Sequence, residues 1–514
     1  MPYRLLLVLL IGMYSCKSKT GTQPVPDADS SINIPQATER YRPQFHFSPA
    51  AHWMNDPNGM FYLDGVYNLY FQYYPGDTKW GPMHWGHATS TDLVNWKEEA
   101  VALFPDSLGY IFSGSAVVDK DNTSGFGKDG KTPVVAIFTH HDPKGADAKR
   151  NDYQSQSLAY SLDNGMTWTK YEHNPVLKNP GIVDFRDPKV NWNKKISKWV
   201  MTLATKDRIT FYASTNLKDW SKLSEFGATL GAHGGVWECP DLFPLRYKGN
   251  DVWVLLVSIN PGGPNGGSAT QYFVGDFNGK EFIPSDTSTR FIDYGTDNYA
   301  GVTMSNTGDR TIFVGWMSNW FYAEKVPTEK WRSAMTLPRE LFLQEAGGKP
   351  YLASRPVPEL DKKGKPETDF GINAASSTNK EPRPLVLDRK DSTYRLQFGI
   401  RAEDFQVTLS NAKAEKFVIG YDKGSNRFYM DRTAAGNSAF DPRFAARHWA
   451  PRIATTDVIP LQLVVDVASV ELFADGGLTV MTDIFFPSVP FDKTTITPAS
   501  PNAVSDAKYT SLKK

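Results

Sequence analysis

The sequence predicts an all-β protein: a five-bladed β-propeller followed by a C-terminal β-sandwich. Three observations carry this. From about residue 42, short β-type runs alternate with Gly, Pro, Asn and Asp, and long amphipathic helical periods are absent. A strand, a Ser/Asp/Asn turn and a Trp recur together, ending at Trp96, Trp168 and Trp220. The spacing, on the order of 50–70 residues, is that of propeller blades with loop insertions. Beyond about Ser354 the pattern shifts to a Pro- and Lys-rich stretch and then to a second set of alternating runs.

Taken in order, the chain opens with a secretory-type segment. Arg4 precedes the compact apolar run 5–11, which is too short to span a bilayer. The small residue Ser15 before Cys16 fits a lipoprotein signal over residues 1–16, with Cys16 as the lipidated residue; ordinary cleavage nearby is the alternative. Lys17-Ser18-Lys19 follows, rather than an acidic run, which favours an exported, lipid-anchored protein on the periplasmic side over the cell surface. Residues 17–41, rich in Lys, Ser, Thr, Pro and Asp, read as a flexible tether. Cys239 is the only other cysteine, so no disulfide framework exists. Lys plus Arg and Asp plus Glu balance at 56 each, with no basic stripe, which excludes a nucleic-acid partner. The lipid would be the only membrane contact, and oligomeric state is not legible.

The propeller is expected over 42–354. Runs at 67–73, 134–139, 198–204, 252–259 and 311–316 supply one interior strand for each of five blades. Each blade opens on a polar stretch: Asn55-Asp56-Pro57, Phe112-Ser113-Gly114-Ser115, Phe185-Arg186-Asp187-Pro188, Trp237-Glu238-Cys239-Pro240-Asp241 and Asp297-Asn298-Tyr299. The innermost strand of a blade lines the central channel, so these stretches converge on one axis. Ser161-Leu162-Asp163-Asn164-Gly165-Met166-Thr167-Trp168 fits an Asp-box turn and is read as a blade-turn device. A linker is expected over 355–383 and a sandwich over 384–514, the sandwich serving as a brace.

Three carboxylates stand out at blade openings: Asp56, Asp187 and Glu238. Any one alone is an ordinary structural acid. Together they suit glycoside hydrolysis, in which one carboxylate attacks or activates water and a protonated one releases the leaving oxygen. A third, kept ionised, can stabilise positive charge developing at the ring. A desolvated place beside Trp237 and Cys239 would favour the protonated form of Glu238. Cys239 itself reads as a small packing residue that tunes Glu238. His46, His52, His84 and His87 fit no standard zinc spacing, and His140-His141-Asp142 reads as loop residues near the site mouth. No metal or cofactor is expected.

These residues also carry a resemblance. Trp53-Met54-Asn55-Asp56-Pro57-Asn58-Gly59, Phe71-Gln72-Tyr73, Trp85-Gly86-His87-Ala88, Phe112-Ser113-Gly114-Ser115, Phe185-Arg186-Asp187-Pro188 and Trp237-Glu238-Cys239-Pro240 resemble the motif set of glycoside hydrolase family 32, the invertase, inulinase and levanase family. Gly315-Trp316-Met317-Ser318-Asn319-Trp320, Thr336-Leu337-Pro338-Arg339-Glu340 and, in the last domain, Val470-Glu471-Leu472-Phe473-Ala474-Asp475-Gly476-Gly477 extend the match to about Pro487. The resemblance implies a retaining mechanism at fructofuranose. It implies Asp56 as nucleophile, Glu238 as general acid/base and Asp187 as transition-state stabiliser. Asn55, Gln72, Trp80, Ser115, Arg186 and Asp241 become candidate contacts in a terminal-fructose pocket. Trp316 and Trp320 either wall that pocket or support a blade. The expected activity is exo-acting release of fructose from levan or inulin, and from sucrose. Endo-acting cleavage, fructosyl transfer and a non-catalytic fructan-binding lipoprotein are the alternatives.

Overall fold

A computed structural model describes residues 39–367, 381–388 and 391–512. The signal segment, Cys16, most of the tether and residues 368–380 of the expected linker lie outside the described residues.

Five blade sheets and two sandwich sheets account for the strands. The innermost blade strands are His52–Leu63, Tyr110–Val118, Phe185–Asn193, Val236–Tyr247 and Tyr299–Thr303. They neighbour one another in a closed ring, the fifth against the first. The ring closes where the chain leaving blade 5 returns to blade 1. There Trp331 and Arg332 pair in parallel with His52 and Trp53, and Ser305 bridges Phe61. Interior strands such as Val134–His141 are buried along nearly their whole length, because blades cover both faces; that is why they read as continuous apolar runs. The Trp repeat is a structural turn. Leu93 and Leu217 take positive φ, Asp92 and Asn216 accept the following backbone N–H groups, and the Trp96 and Trp220 indoles donate back to Leu93 and Leu217.

Three boundaries differ from expectation. Residues 39–41, assigned to the tether, are held in place: Glu39 pairs with Arg42, and Tyr41 donates to the Pro487 carbonyl and meets Phe486 edge-on. The propeller's last strand, Lys349–Pro356, ends at Pro356 rather than 354. The first part of the expected linker is built structure: the turn Pro358–Lys363 leads into strand Gly364–Glu367, which pairs with Val504–Leu512. Its composition suggests a linker, but its partner lies at the far end of the chain, where local composition carries no signal.

The sandwich is two six-stranded antiparallel sheets. Period-2 alternation sends Leu396, Phe398 and Ile400 inward against Val407, Ile419 and Met430 of the other sheet.

A buried ionic cluster clamps the sandwich to the propeller. Arg339, fully buried, binds Glu471 and Asp293, and its guanidinium lies over Phe473. His46 bridges Asp466 and Glu471 at 2.8 Å each. Arg432 bonds Asp297, and His448 bonds Asp483. Two stretches that carry the family resemblance, one around Arg339 and one around Glu471, thus meet across the interface.

Burial opposes charge on His46, but its bonds to Asp466 and Glu471 prevail and push it up to about 9. Burial also opposes charge on Glu471, but Arg339 and His46 prevail and hold it down at about 2. The raised His46 stabilises the fold fully below its unfolded value of 6.5, and this is lost as pH rises through about 9. The depressed Glu471 stabilises above 4.5, and this is lost as pH falls toward about 2. The clamp is therefore strongest between those unfolded values. Thermal unfolding of His46→Gln should show a stability deficit against wild type that shrinks above about pH 9; a pH-independent deficit contradicts the linkage.

Candidate active site

Every innermost strand breaks register at the same depth. The breaks fall at Asp56, at Phe112-Ser113, at Asp187-Pro188, at Cys239-Pro240 and at Ala300-Gly301. A bulge bends its strand and re-aims a side chain. Pro57, Pro188 and Pro240 fit there because an interrupted ladder needs no N–H. Asp187, Cys239 and Ala300 take positive φ, a left-handed conformation that non-glycine residues adopt at a cost. Ring closure then brings the five bulges together.

Asp56 accepts from Ser113 Oγ at 2.8 Å and from Asn55 Nδ2 at 2.9 Å. Asn55 is itself fixed by the Trp53 indole at 2.7 Å. Asp187 accepts the Cys239 backbone N–H at 3.0 Å, and its own N–H donates to Thr139. The Cys239 thiol stands 3.6 Å from both Asp56 and Asp187. Glu238 is gripped by Arg186, through Nε at 3.1 Å and Nη2 at 2.9 Å, and receives the Tyr299 hydroxyl. Asp184 holds the other side of the Arg186 guanidinium.

The crowding of acids sets their protonation. Burial raises Asp187 first, Glu238 and Asp56 add to it, and Arg186 opposes, leaving Asp187 at about 7. Burial and then the Glu238 charge raise Asp56, while Asn55 and Ser113 pull it back. Burial and the surrounding carboxylates push the Cys239 thiol far up, so it stands as a neutral S–H donor between two acids. Burial and mutual repulsion thus favour the protonated forms of Asp56 and Asp187, so a proton can be held among these crowded carboxylates, as acid–base chemistry at an acetal requires.

The structure brings Asp56, Asp187, Glu238, Asn55 and Arg186 to one place. Gln72 pairs across the strand with Asn55, and its enclosed Nε2 has no hydrogen-bond partner among the described residues. Trp80 stands at the rim, 38% exposed and edge-on to Phe112. Three candidates sit elsewhere. Ser115 is used one layer deeper, donating to Pro188 O and accepting from Val190 N to stitch blade 2 to blade 3. Asp241, fully buried, accepts from Thr303 of blade 5 and pairs with Lys189 of blade 3. Trp316 is fully buried, donates to Met54 O and packs against Trp53 and Tyr299, so it supports the site from behind. Trp320, half-buried, stacks on Trp53. The expected shielding of Glu238 by Trp237 is also corrected. Adjacent strand residues face opposite ways, and Trp237 points into the core between blades 3 and 4. Likewise Cys239 contacts Asp56 and Asp187 rather than Glu238.

Ser113 and Tyr299 are contacts the sequence reading did not single out. Gly114 was the available signal for Ser113: a Cβ there would lie 2.0 Å from Ile137 O, so the strand packs too closely for any side chain beside the bulge. Among the described residues no group of three or more His, Cys, Asp or Glu side chains is arranged to hold a metal ion. His46 lies in the clamp, His87 bonds Asn68, and His140 bonds Ser157, with its Nε2 3.3 Å from Asp106.

A propeller channel with three acids, one shared thiol and an Arg–Tyr grip on the third acid defines a glycoside hydrolase. Family models agree: glycosyl hydrolases family 32 N-terminal domain matches residues 46–356, and glycosyl hydrolases family 32 C terminal matches 359–513. The chain belongs to glycosyl hydrolases family 32. It is 46% identical to a levanase of Bacillus subtilis over 461 residues, covering 87% of this chain and 67% of that protein. It is 40% identical to an extracellular exo-inulinase of Aspergillus niger, covering 87% and 90%. In structure it is similar to the exo-inulinase of Aspergillus awamori (TM-score 0.82, 36% identity, 93% and 99% covered). It is also similar to a β-fructofuranosidase of Schwanniomyces occidentalis complexed with fructosyl-erythritol (TM-score 0.80, 34% identity, 93% and 98% covered). The five-bladed propeller and sandwich expected from sequence are thus the architecture of this chain.

Proposed function

We propose that this enzyme hydrolyses β-fructofuranosidic bonds with retention, releasing fructose from the ends of levan or inulin chains and from sucrose. The observation that carries the reading is the convergence of Asp56, Asp187 and Glu238 on five aligned bulges. Asp56, aimed by Ser113 and Asn55, attacks the anomeric carbon. Glu238 protonates the departing oxygen, then takes a proton from the water that resolves the fructosyl-enzyme. Arg186 and Tyr299 hold its carboxyl in one orientation through both steps. Asp187 accepts hydrogen bonds from the fructose hydroxyls and stabilises the oxocarbenium-like transition state. Gln72, paired across the strand with Asn55, and the rim ring of Trp80 complete the terminal-fructose pocket.

Exo action is supported by what lies below the acids. Ser115, Asp241 and Lys189 form a buried polar layer there, which suits a pocket for a chain end. The exo-inulinases among its relatives agree with this. Time-resolved product analysis with levan, inulin and sucrose tests the reading. Fructose alone from the first time points is expected; early mixed oligosaccharides would mean endo action, and no product would mean a binding protein.

From the N-terminal residues we also infer that the protein is exported and tethered through Cys16 on the periplasmic side. Cys16→Ala should move it from the membrane to the soluble fraction; persistence in membranes would contradict the anchor.

A further inference from the structure

We propose that His141 is a leaving-group-side binding residue, donating a hydrogen bond from Nε2 to a hydroxyl of the sugar that departs with the glycosidic oxygen. The proposal rests on the β-fructosidase reading and adds a residue that the motifs do not assign.

His141 ends the second strand of blade 2, directly across from Gln154 on the third strand. Its tautomer follows from the network. The Phe185 backbone N–H donates to Gln154 Oε1, so the Gln154 amide nitrogen faces His141 Nδ1 at 3.2 Å. That nitrogen can only donate, so Nδ1 accepts and the proton sits on Nε2. Nε2 has no hydrogen-bond partner among the described residues, and it is not among the enclosed unpartnered atoms. It therefore stands as an unused donor that is not fully enclosed.

The ring is rigidly held. It stacks on Phe112 with centroids 4.3 Å apart and planes 9° apart, and Tyr153 meets it edge-on at 5.3 Å. Burial first, and then the Arg186 charge, hold it neutral down to about pH 4, so it donates without adding a cation.

Its position gives the ligand. Phe112 precedes Ser113, which orients the proposed nucleophile, and carries the exposed Trp80 on an edge. Arg186, which grips the proposed acid Glu238, also reaches Gln154 Oε1 at 3.4 Å. A neutral donor on an aromatic shelf, linked through Phe112 to the strand of Ser113 and through Gln154 to Arg186, suits a sugar hydroxyl beyond the scissile bond.

The test compares wild type with His141→Phe, which keeps the stack and removes the donor, and with His141→Gln, which restores an N–H. Rates are read on sucrose, on a fructan oligosaccharide and on an aryl β-fructofuranoside whose leaving group has no hydroxyl. His141→Phe should lose about tenfold in kcat/KM on the two sugar substrates, the size of one hydrogen bond, and under about threefold on the aryl substrate. His141→Gln should recover part of the loss. Transfer of fructosyl to added fructose, relative to water, should fall in His141→Phe. Equal losses on all three substrates would overturn the proposal in favour of a structural role, and unchanged rates would overturn it outright. Wild-type inactivity on both sugars would instead fail the underlying fructosidase reading.

Discussion

Replacing Asp56 by Asn is expected to lower kcat by on the order of 10⁴-fold or more with the fold intact. The amide is nearly the same shape, so Trp53, Asn55 and Ser113 keep their places, and Ser113 Oγ can accept from an amide N–H where it now donates to a carboxylate. What disappears is the nucleophile. No neighbour can take over: Asp187 is held through the Cys239 N–H, and Glu238 is held by Arg186 and Tyr299. Steady-state rates with sucrose, alongside thermal unfolding, check this. A rate within tenfold of wild type would remove Asp56 from its role.

Arg339→Ala should cost about 3–5 kcal/mol of stability, because it leaves Asp293 buried without its cation and Glu471 with His46 alone. Arg246→Ala is the matched control: its pair with Asp251 is exposed and should contribute about 1 kcal/mol or less. Urea denaturation of the two variants measures the contrast. Similar small effects would mean that the sandwich is not clamped through this cluster. The size of the Arg339 effect also bears on the sandwich's role. From the sandwich, Arg432 pairs with Asp297 and Thr482 donates to Asp293, just before the innermost strand of blade 5, and that strand begins with Tyr299. The sandwich thus braces the element that presents a hydroxyl to Glu238.

The parts legible in the sequence were those encoded locally. Turn residues and alternating runs marked the blades, and the Leu93 and Leu217 turns repeat the same side-chain bonds because they repeat the same residue types. The three acids were visible because each opens a blade beside a proline. Depth in the channel was not legible. Ser113 and Ser115 lie two residues apart, yet the bulge at Phe112-Ser113 aims Ser113 at Asp56, while Ser115, back in register, is used between blades. Asp241 follows the Cys239-Pro240 bulge in the same way and sinks into the layer below. Register breaks depend on the neighbouring strand, so motif position alone ranks such residues together. The strand Gly364–Glu367 was missed for a related reason, since its partner is the last strand described.

Trapping the fructosyl-enzyme tests the central claim most directly. In Glu238→Ala, an aryl β-fructofuranoside with a good leaving group can still react without acid assistance, but no base remains to activate water. Intact-mass measurement should show the protein carrying one fructosyl unit, and peptide mapping should place it on Asp56. An adduct on another residue, or turnover with no adduct and fructose released in the inverted configuration, would contradict the account.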